Sequence, residues 1–454
     1  MKSFLQLLFL LASGLTVFSQ NWSEPVILTD TVSYNSNPEM FVFDNGYGTA
    51  YLFFEKKWDE NSKTEIWIKN ITESLPEQPV FADDNIEFRN PCIVVENGVY
   101  LLYESNSAGN FNIFGVQFFG DGTFGEPFIL TNTLEDEEDM SVSNVYYTDR
   151  PVCWIKGGDV MFSYLSPVAD TLVFDNIITI DTGNCHEPVF NSAVVYRKVD
   201  GNNSSVYYSQ FYGGQWLTPD TLMLEGNNYN LSVQMYSSPV HPYNIFWENN
   251  GQIYYGYYTS VTSIPLSGFE QMHHPSSFLL ILGNEKFYAG SIIFSAGEGD
   301  DEDIYSGYAE SGYYENLTNN NRRDYNPDFF IGERIGEFAE HTVIWQSEIN
   351  GKSALCMSYK MDYFVGIGEQ EKTGSSIAVY PNPFSGQLTI KCNLPGTLEI
   401  FDIKGGKVFT ENLTTKGTGE QTTIWVPGNI PEGLYLINII SGEYQETKKV
   451  LYTK

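Results

Sequence analysis

The feature that most constrains the fold of this chain is an internal repeat of short apolar strands. Five segments begin with polar residues and a proline and then become strand-like: residues 37–42, 90–95, 150–155, 186–190 and 326–331. A second apolar strand with an aromatic residue near its end recurs, and these aromatic residues lie at positions 54, 103, 164, 196, 247, 294 and 345. A spacing of about fifty residues is typical of arrays built from four-stranded sheets.

A displaced strand near the N-terminus indicates that the array is circular. Most copies continue with a third strand, and residues 124–132 show a fourth element that runs from an aromatic residue through a proline into an apolar strand. Residues 22–30 carry the same pattern ahead of the first full copy, whereas the last copy stops after its third strand near Tyr359. An N-terminal strand that completes the last blade explains both facts and removes an open sheet edge.

These patterns predict an all-β fold: a β-propeller over residues 20–365, closed by its N-terminal strand, with residues 26–28 paired beside residues 354–357. Seven second strands predict a seven-bladed propeller. Six blades are the alternative, because the spacing is irregular between positions 103, 164 and 196. An ordinary β-sandwich explains neither the ordered strand types nor the displaced N-terminal copy. Aromatic residues at 15% and 40 glycines fit pleated strands joined by tight turns.

Net charge and hydropathy restrict which partners the chain can bind and whether it can span a membrane. A formal net charge of −33 excludes nucleic acid, because phosphate binding depends on clustered Lys and Arg; the acidity is better explained as a solvated surface. Residues 1–19 place a short apolar run after Lys2 and end near small residues, which predicts a signal peptide cleaved before Gln20. Later apolar runs are too short to span a bilayer, so no transmembrane segment is expected.

The chain changes character after residue 365. Residues 366–376 are polar, Gly-rich and without strand periodicity, which predicts a linker. The tail has balanced charge, unlike the whole chain with its 24 basic and 57 acidic residues. Short apolar segments separated by proline and glycine turns predict a small Ig-like β-sandwich over residues 377–454.

This tail resembles the type A C-terminal sorting domain of the type IX (Por) secretion system. The resemblance rests on residues 379–384, 398–405, 431–435 and the basic close at 448–450, in matching order and spacing. Only residues 452–454 extend past the usual ending. The sorting signal that the resemblance implies includes Tyr380, Pro381, Asn382, Pro383, Gly433, Tyr435, Lys448 and Lys449.

The resemblance also implies partners and a location. An outer-membrane translocon would recognise the tail, and a sortase would remove it as the cargo is released or attached to surface lipopolysaccharide. The protein is therefore expected to pass through the periplasm and to be secreted or displayed on the outer-membrane surface. The ligand-directed chemistry would then lie in residues 20–365.

Candidate ligand-binding residues flank the strand openings, since propeller sites usually form where inner strands enter the channel. Three arginines at equivalent openings predict a bidentate clamp for a carboxylate or sulfate. Residues 88–91 (Phe-Arg-Asn-Pro) resemble the strand entrance of sialidases, although the Asp boxes of that family are missing. Arginines that satisfy rim carbonyls and acidic loops are the structural alternative. The candidates are Arg89, Arg150, His186, Glu187, Arg323 and Asp324.

The sequence assigns no catalytic residue, cofactor or metal ligand. Glu55, Glu104 and Glu248 recur at the ends of second strands and are interpreted as structural, and the five cysteines are interpreted as free thiols. His241, His273 and His274 are expected on exposed loops, away from any metal-binding spacing. The acidic segments 135–139 and 298–303 contain oxygen ligands suited to calcium, but solvated charge is the favoured interpretation.

Two functions are consistent with these sequence features. The first is a secreted or surface-displayed binding propeller whose aromatic and Asn-rich rim holds a glycan or a protein. The second is a propeller-type glycan hydrolase, sialidase-like or another glycosidase, in which the arginines orient an acidic sugar. A hydrolase requires a pair of carboxylates about 5–9 Å apart, whereas a binding protein does not.

Overall fold

Two compact units, Met1–Val365 and Gly366–Lys454, make up the chain. The computed structural model describes residues 22–43, 49–143, 150–190, 193–223, 226–233, 245–257, 260–263, 269, 271–277, 280–282, 286–288, 291–308, 313–335, 338–363, 377–380, 384–392, 396–402, 406–413, 421–428, 430–431, 433–441 and 444–452. The predicted signal peptide and linker lie outside these residues. Within them no helix has the length and hydrophobicity needed to cross a bilayer.

The first unit is built from antiparallel sheets that follow one another along the chain, after an N-terminal strand β1 (Val26–Ile27). Sheet 1 contains β2 (Tyr34–Phe43), β3 (Thr49–Lys57), β4 (Glu65–Asn70) and β5 (Gln78–Phe81). Sheet 2 contains β6 (Phe88–Val95), β7 (Val99–Ser105), β8 (Asn112–Phe118) and β9 (Phe128–Ile129). Sheet 3 contains β10 (Glu137–Val142), β11 (Arg150–Lys156), β12 (Asp159–Val168) and β13 (Thr171–Asp181).

The next two sheets keep this meander. Sheet 4 contains β14 (Cys185–Phe190), β15 (Ala193–Asp200), β16 (Asn203–Tyr212), β17 (Gln215–Trp216) and β18 (Asp220–Met223), of which the last two both pair with β16. Sheet 5 contains β19 (Asn228–Val233), β20 (Ile245–Asn249), β21 (Gln252–Tyr257) and β22 (Ser260–Ser263).

The last two sheets depart from the simple meander. Sheet 6 contains β23 (Met272–Ser277), β26 (Ser291–Ala296), β27 (Asp303–Tyr308) and β28 (Tyr313–Asn316), and a separate hairpin of β24 (Leu280–Leu282) and β25 (Lys286–Tyr288) is inserted after β23. A short 3-10 turn, Gly299–Asp301, precedes β27. Sheet 7 contains β29 (Asp324–Ile335), β30 (Phe338–Ile349) and β31 (Lys352–Tyr363), and β1 is its fourth strand.

Strand β1, near the start of the first unit, pairs with β31, near its end. Val26 lies opposite Met357 and Ile27 opposite Cys356, as the displaced repeat predicted. The pairing continues past the strand, because the backbone N–H of Leu28 donates to the Leu355 carbonyl at 2.8 Å. The two ends of the first unit are thus joined by backbone hydrogen bonds.

A buried lysine fastens the segment after β1 to sheet 1. The side chain of Lys56 is 1% exposed, and its Nζ lies 2.5 Å from Asp30 Oδ2 and 3.5 Å from Glu77 Oε1. The same ammonium lies 4.1 Å from the centre of the Trp67 ring. Burial alone would raise the pKa of Asp30, but hydrogen bonds from Lys56 and Ser33 hold it far below its usual range.

Each sheet packs on the next through one hydrophobic cluster. The clusters join sheets 1 and 2, 2 and 3, 3 and 4, 4 and 5, 5 and 6, and 6 and 7, and a further cluster joins sheet 7 to sheet 1. In that last cluster Leu52 and Phe54 of β3 pack with Ile344 of β30, Leu355 of β31 and Leu28. The fold of the first unit is therefore all-β and propeller-like.

The sequence pattern was wrong about the third copy. Its first strand is β10, which overlaps the segment 135–139 interpreted as an acidic loop, and Arg150 and Pro151 begin the second strand β11. The aromatic residue of that second strand is the fully buried Trp154, whereas Tyr164 belongs to the third strand β12. The irregular spacing disappears with this correction. Strand β10 has no proline and few apolar residues, so the repeat pattern could not identify it.

The second unit contains two sheets that share one core. One sheet has the order β32 (Ile377–Tyr380), β33 (Leu388–Cys392), β36 (Gln421–Trp425), and the other has the order β35 (Lys407–Leu413), β34 (Gly396–Asp402), β37 (Gly433–Ser441), β38 (Tyr444–Tyr452). Leu388 and Ile390 of the first sheet lie in one cluster with Ile400 and Ile437 of the second. The described strands thus form a small sandwich.

Substituting Leu28 by Ala tests whether the N-terminal segment stabilises the first unit. The change removes a side chain that is 5% exposed within the cluster between sheets 7 and 1. Such a cavity costs about 2–4 kcal/mol, measurable by denaturant unfolding. Val32→Ala, at a side chain 67% exposed, is the matched control. Equal stabilities of the two variants would show that burial of the Leu28 side chain does not stabilise the first unit.

Candidate functional site

Every first strand of sheets 1–7 contains one residue in the left-handed backbone region. At each of these positions the register with the second strand shifts, which marks a β-bulge. Asn tolerates this conformation better than other non-glycine residues because its short amide bonds locally. We call them the bulge residues, with φ between 49° and 54°: Asn37, Asn90, Asp139, Glu187, Asn230, His274 and Asn326.

The Asn bulge residues are held by acceptors on their own second strands. The Nδ2 of Asn37 donates to Glu55 at 3.0 Å. The donor–acceptor pairs in the other Asn-containing sheets are Asn90 to Glu104 at 2.6 Å, Asn230 to Glu248 at 3.0 Å and Asn326 to Gln346 at 2.7 Å. A repeated side-chain hydrogen bond of this kind fixes the orientation of each amide.

The same second-strand side chains also bind the following sheet. Glu55 accepts from the backbone N–H of Asn90 at 2.7 Å, and Glu104 accepts from that of Met140 at 2.8 Å. Gln346 donates to the carbonyl of Asn35 in sheet 1 at 3.2 Å. We call this two-sided arrangement the intersheet clamp. These contacts agree with the structural interpretation of the recurring glutamates.

Glu248 is the most heavily bonded clamp. Its side chain is fully buried. From sheet 5 it accepts hydrogen bonds from Tyr229 Oη and Asn230 Nδ2. From sheet 6 it accepts hydrogen bonds from His273 Nδ1 at 2.7 Å and from the His274 backbone N–H at 3.2 Å. Burial alone would raise the pKa of Glu248, but hydrogen bonds from His273 and Tyr229 lower it. The hydrogen bond to Glu248 in turn raises the pKa of His273.

The sequence was therefore wrong about two histidines. His273 and His274 lie on strand β23, partly buried, rather than on an exposed loop. Burial lowers the pKa of His274, so its ring is neutral near pH 7. His241 lies outside the described residues.

Four first strands meet at a cavity of about 220 Å³. Asn37 and Pro38 of β2 line it, together with the bulge segments 230–232 of β19, 274–276 of β23 and 326–328 of β29. Sheets 5, 6, 7 and 1 thus each contribute a bulge. Because a bulge turns side chains away from the regular alternation, these segments direct polar groups toward a shared space. Amide, hydroxyl, imidazole and carboxyl groups all occur in the lining.

Asp328 is the carboxylate among the described lining residues. Its Oδ1 accepts from Ser276 Oγ at 2.9 Å and from the backbone N–H of Phe329 at 2.8 Å. Burial raises the pKa of Asp328 to about 6, because these two hydrogen bonds offset only part of the desolvation. The group is therefore ionised near pH 7 at an energetic cost, within reach of the cavity.

Arg89 lies near the start of β6, whereas Arg150, the first residue of β11, bonds to the other end of β6. Arg89 donates to Glu104 at 2.9 Å and to Glu138 at 2.6 Å, and its guanidinium lies 3.8 Å from the centre of the Phe111 ring. Arg150 donates instead to the Val95 carbonyl at 2.9 Å. The residues from 89 to 95 span roughly 20 Å of extended strand, so these two guanidiniums do not form one clamp.

The remaining sequence candidates also bond within the protein. Arg323 donates to Glu302 at 2.8 Å, and Asp324 is buried and accepts from Asn320 at 2.5 Å. The His186 ring lies 3.2 Å from Asn184 Oδ1. Glu187 is a bulge residue whose carboxylate lies 3.0 Å from Arg197. None of the six candidates lines the cavity described above, and ligand binding by them stays a prediction.

Sequence reasoning identified only part of the cavity lining. The polar–proline rule identified Asn37 and Asn326, but not Asn230, where leucine replaces the proline, nor His274, whose histidine pair was interpreted as a loop. The signal that joins them is a bulge residue followed by Pro or Leu and then by a small or acidic residue, as in residues 230–232 and 274–276.

The acidic segments bond to protein donors. Asp136 accepts from the Phe111 N–H, Glu302 from Ser295 and Arg323, and Asp303 from Thr318. Among the described residues no cluster of three or more Asp, Glu, His or Cys side chains is arranged to hold a metal ion. The interpretation of these segments as solvated charge is wrong for Glu137 and Glu302, which are each 2% exposed, and the calcium alternative stays a prediction.

The tail motifs have structural roles in the second unit. Tyr435 Oη donates to the Pro431 carbonyl at 2.7 Å, and between them Gly433 has a φ of 147°. Tyr452 belongs to the core, since it is 7% exposed and its ring centre lies 5.2 Å from that of Phe384. Tyr380 is 46% exposed and Lys448 is 8% exposed. Pro381, Asn382, Pro383 and the side chain of Lys449 lie outside the described part of the chain.

Comparison with known proteins identifies this tail. Residues 378–453 match the family described as the secretion system C-terminal sorting domain. The type IX sorting tail is thereby confirmed, and it implies export to the cell surface or into the medium. No curated protein matches the chain significantly.

Solved structures give weaker likenesses. A puromycin-hydrolyzing peptidase of Mycobacterium tuberculosis is 12% identical over 84% of this chain and 63% of its own, with a TM-score of 0.46. PorZ, a surface component of the type IX secretion system of Porphyromonas gingivalis, is 10% identical over 92% of this chain and 59% of its own, with a TM-score of 0.38. The Dos1 propeller is 11% identical over 82% of this chain and 93% of its own, with a TM-score of 0.41. The fold assignment of the first unit therefore rests on its own strand pairing.

The pH dependence of stability tests the bond between Glu248 and His273. Because the folded-state pKa of His273 is raised, its protonated form stabilises the fold at low pH, and this contribution is lost as the pH rises through that pKa. We expect the melting temperature of His273→Gln to lie about 2–4 °C further below wild type at pH 5.5 than at pH 8.5. His186→Gln is the control. If the difference in melting temperature between His273→Gln and wild type were the same at the two pH values, the ion pair between His273 and Glu248 would be refuted.

Asp328→Asn tests the cost of the cavity carboxylate. Its raised folded-state pKa means that ionisation disfavours folding once the pH exceeds the ordinary value of 3.8, with the full cost reached above about 6. The variant is expected to gain about 1–2 kcal/mol more unfolding free energy at pH 7.5 than at pH 4.5. Asp300→Asn, at an exposed residue, controls for net charge. A gain that does not vary with pH would contradict this assignment.

Proposed function

We propose that this chain, which carries a type IX sorting domain, is exported to the cell surface or medium and binds a polar ligand there. The ligand is a glycan or a group on a protein, and it binds at one mouth of a propeller channel. The translocon and sortase of the type IX system are the proposed partners of residues 377–454. The cavity formed by the bulges of sheets 5, 6, 7 and 1 is the observation that carries the binding proposal.

We also propose that sheets 1–7 are the blades of a closed, seven-bladed propeller. Three observations support closure: β1 completes sheet 7, β29 contacts β2, and a hydrophobic cluster joins sheet 7 to sheet 1. The first strands contact each other in order from β2 through β6, β10, β14, β19 and β23 to β29. Such an arrangement places the first strands around a central channel.

The makeup of the cavity favours binding over hydrolysis. A glycosidase uses two carboxylates on opposite sides of the scissile bond, whereas Asp328 alone supplies one among the described lining residues. Two of the arginines that would orient an acidic sugar, Arg89 and Arg323, are bonded to Glu104, Glu138 and Glu302. A preformed polar pocket that lacks a second acid is better suited to recognition than to bond cleavage.

A glycan array probed with the purified full chain tests this function. Asn37→Gly and Asn230→Gly keep the left-handed backbone but remove cavity amides, so retention on any bound glycan should fall about tenfold. Asn350→Gly makes the same change at an exposed turn with a φ of 55° and should leave retention unchanged.

Mass spectrometry of the bound glycans supplies the second readout. Intact glycans are expected after prolonged incubation, and release of sugars would replace the binding proposal with the hydrolase. Equal retention by the cavity variants and the turn variant would place the binding site elsewhere.

A further inference from the structure

We infer that the ligand group seated in the cavity is an organic ammonium ion, a protonated primary amine. This inference rests on the proposed binding function and specifies the chemistry of the same site. It derives from the hydrogen-bonding capacity that the clamps leave to the lining side chains, and from the charge of Asp328.

The intersheet clamps engage the amide nitrogen of each cavity asparagine. Asn37 gives its Nδ2 to Glu55, and Asn230 gives its Nδ2 to Glu248. An ionised carboxylate only accepts hydrogen bonds, so the amide nitrogen of each asparagine must face it. The carbonyl oxygen Oδ1 of each amide is therefore left to accept other contacts, beside the second Nδ2 hydrogen.

Asn326 has the same orientation for a different reason. Its clamp is Gln346, whose Nε2 donates to the Asn35 carbonyl, so the Gln346 Oε1 must accept from Asn326 Nδ2. Asn90 indicates where such an Oδ1 points, because it accepts from the Cys92 thiol two residues further on. The equivalent positions in sheets 5, 6 and 7 are the cavity residues Ser232, Ser276 and Asp328.

The other polar groups of the lining contribute both acceptors and donors, and none of them is cationic. Ser276 gives its hydroxyl proton to Asp328 Oδ1, and Ser232 Oγ, which accepts from the Ser277 N–H at 3.0 Å, also lies 3.0 Å from Ser277 Oγ. Both bonds to Asp328 go to Oδ1, which leaves Oδ2 with its lone pairs. The His274 ring is neutral because burial lowers its pKa, so it does not repel a cation.

The described lining thus combines three amide oxygens, one carboxylate and no cationic side chain. An anion would be repelled by Asp328 and would meet no cationic side chain in the described lining, whereas an ammonium group brings three donors and a positive charge. The net charge of −33 favours approach of a cation. A free amine, an amino sugar and a lysine side chain all present this group.

Calorimetric titration of the full chain with matched probes tests the inference at constant ionic strength. The pairs are glucosamine against N-acetylglucosamine and a lysine-terminated peptide against its Nε-acetylated form. Each amine is expected to bind at least about tenfold more tightly than its acetylated partner. Comparing the two amines distinguishes a sugar from a protein source, and n-butylamine represents the free amine.

Two substitutions test whether the carboxylate of Asp328 is the group that binds the ammonium ion. Asp328→Asn keeps an acceptor for Ser276 and Phe329 and should weaken amine binding about tenfold, whereas Asp300→Asn, with the same change in net charge, should not. Circular dichroism confirms that both variants fold.

The outcomes separate the two proposals. If acetylated probes bind as well as amines, or sodium and calcium ions alone bind, the ammonium inference fails while binding at the cavity stands. If no probe binds and the array gives no cavity-dependent signal, the proposed function fails as well. Amine binding that Asp328→Asn leaves unchanged would also overturn the inference.

Discussion

The intersheet clamp is the interaction on which the rest of the first unit depends. A side chain near the end of a second strand bonds the bulge of its own sheet and the first strand of the next sheet. Glu55, Glu104, Glu248 and Gln346 share this arrangement. Burying a carboxylate is costly unless donors surround it, and the bulge amides and next-sheet N–H groups supply those donors. Each clamp therefore sets both a backbone conformation and the spacing between sheets.

Hydrophobic packing acts together with this polar network. A clamp holds neighbouring first strands in place, and the apolar faces of the second and third strands then meet in one cluster per pair of sheets, as Phe53 does with Tyr103. Non-directional burial of this kind supplies most of the stability but does not by itself specify orientation. The bonds between β1 and β31, together with the buried ammonium of Lys56, extend the arrangement to the chain ends.

Two side chains that line the cavity, Asp328 and His274, lie in environments that lower the stability of the fold. Asp328 is kept in a site that raises its pKa, and the Nδ1 of His274 is buried without a hydrogen-bond partner among the described residues. Groups with such environments cluster at functional sites, because binding or chemistry there outweighs the loss of stability. A ligand amine would give Asp328 a counter-ion within the cavity.

Three features could be predicted from the amino-acid sequence alone: the strand repeat, the N-terminal strand that pairs with β31, and the sorting tail at residues 378–453. Apolar alternation and turn residues are local signals, and the tail motifs are contiguous. The three-dimensional structure was needed to identify β10 as a first strand and to show that Asn230, His274 and Asp328 share one cavity. Those residues are far apart in the chain, and their roles depend on bulges and on buried partners in other sheets. Such long-range contacts leave no periodic pattern in the sequence.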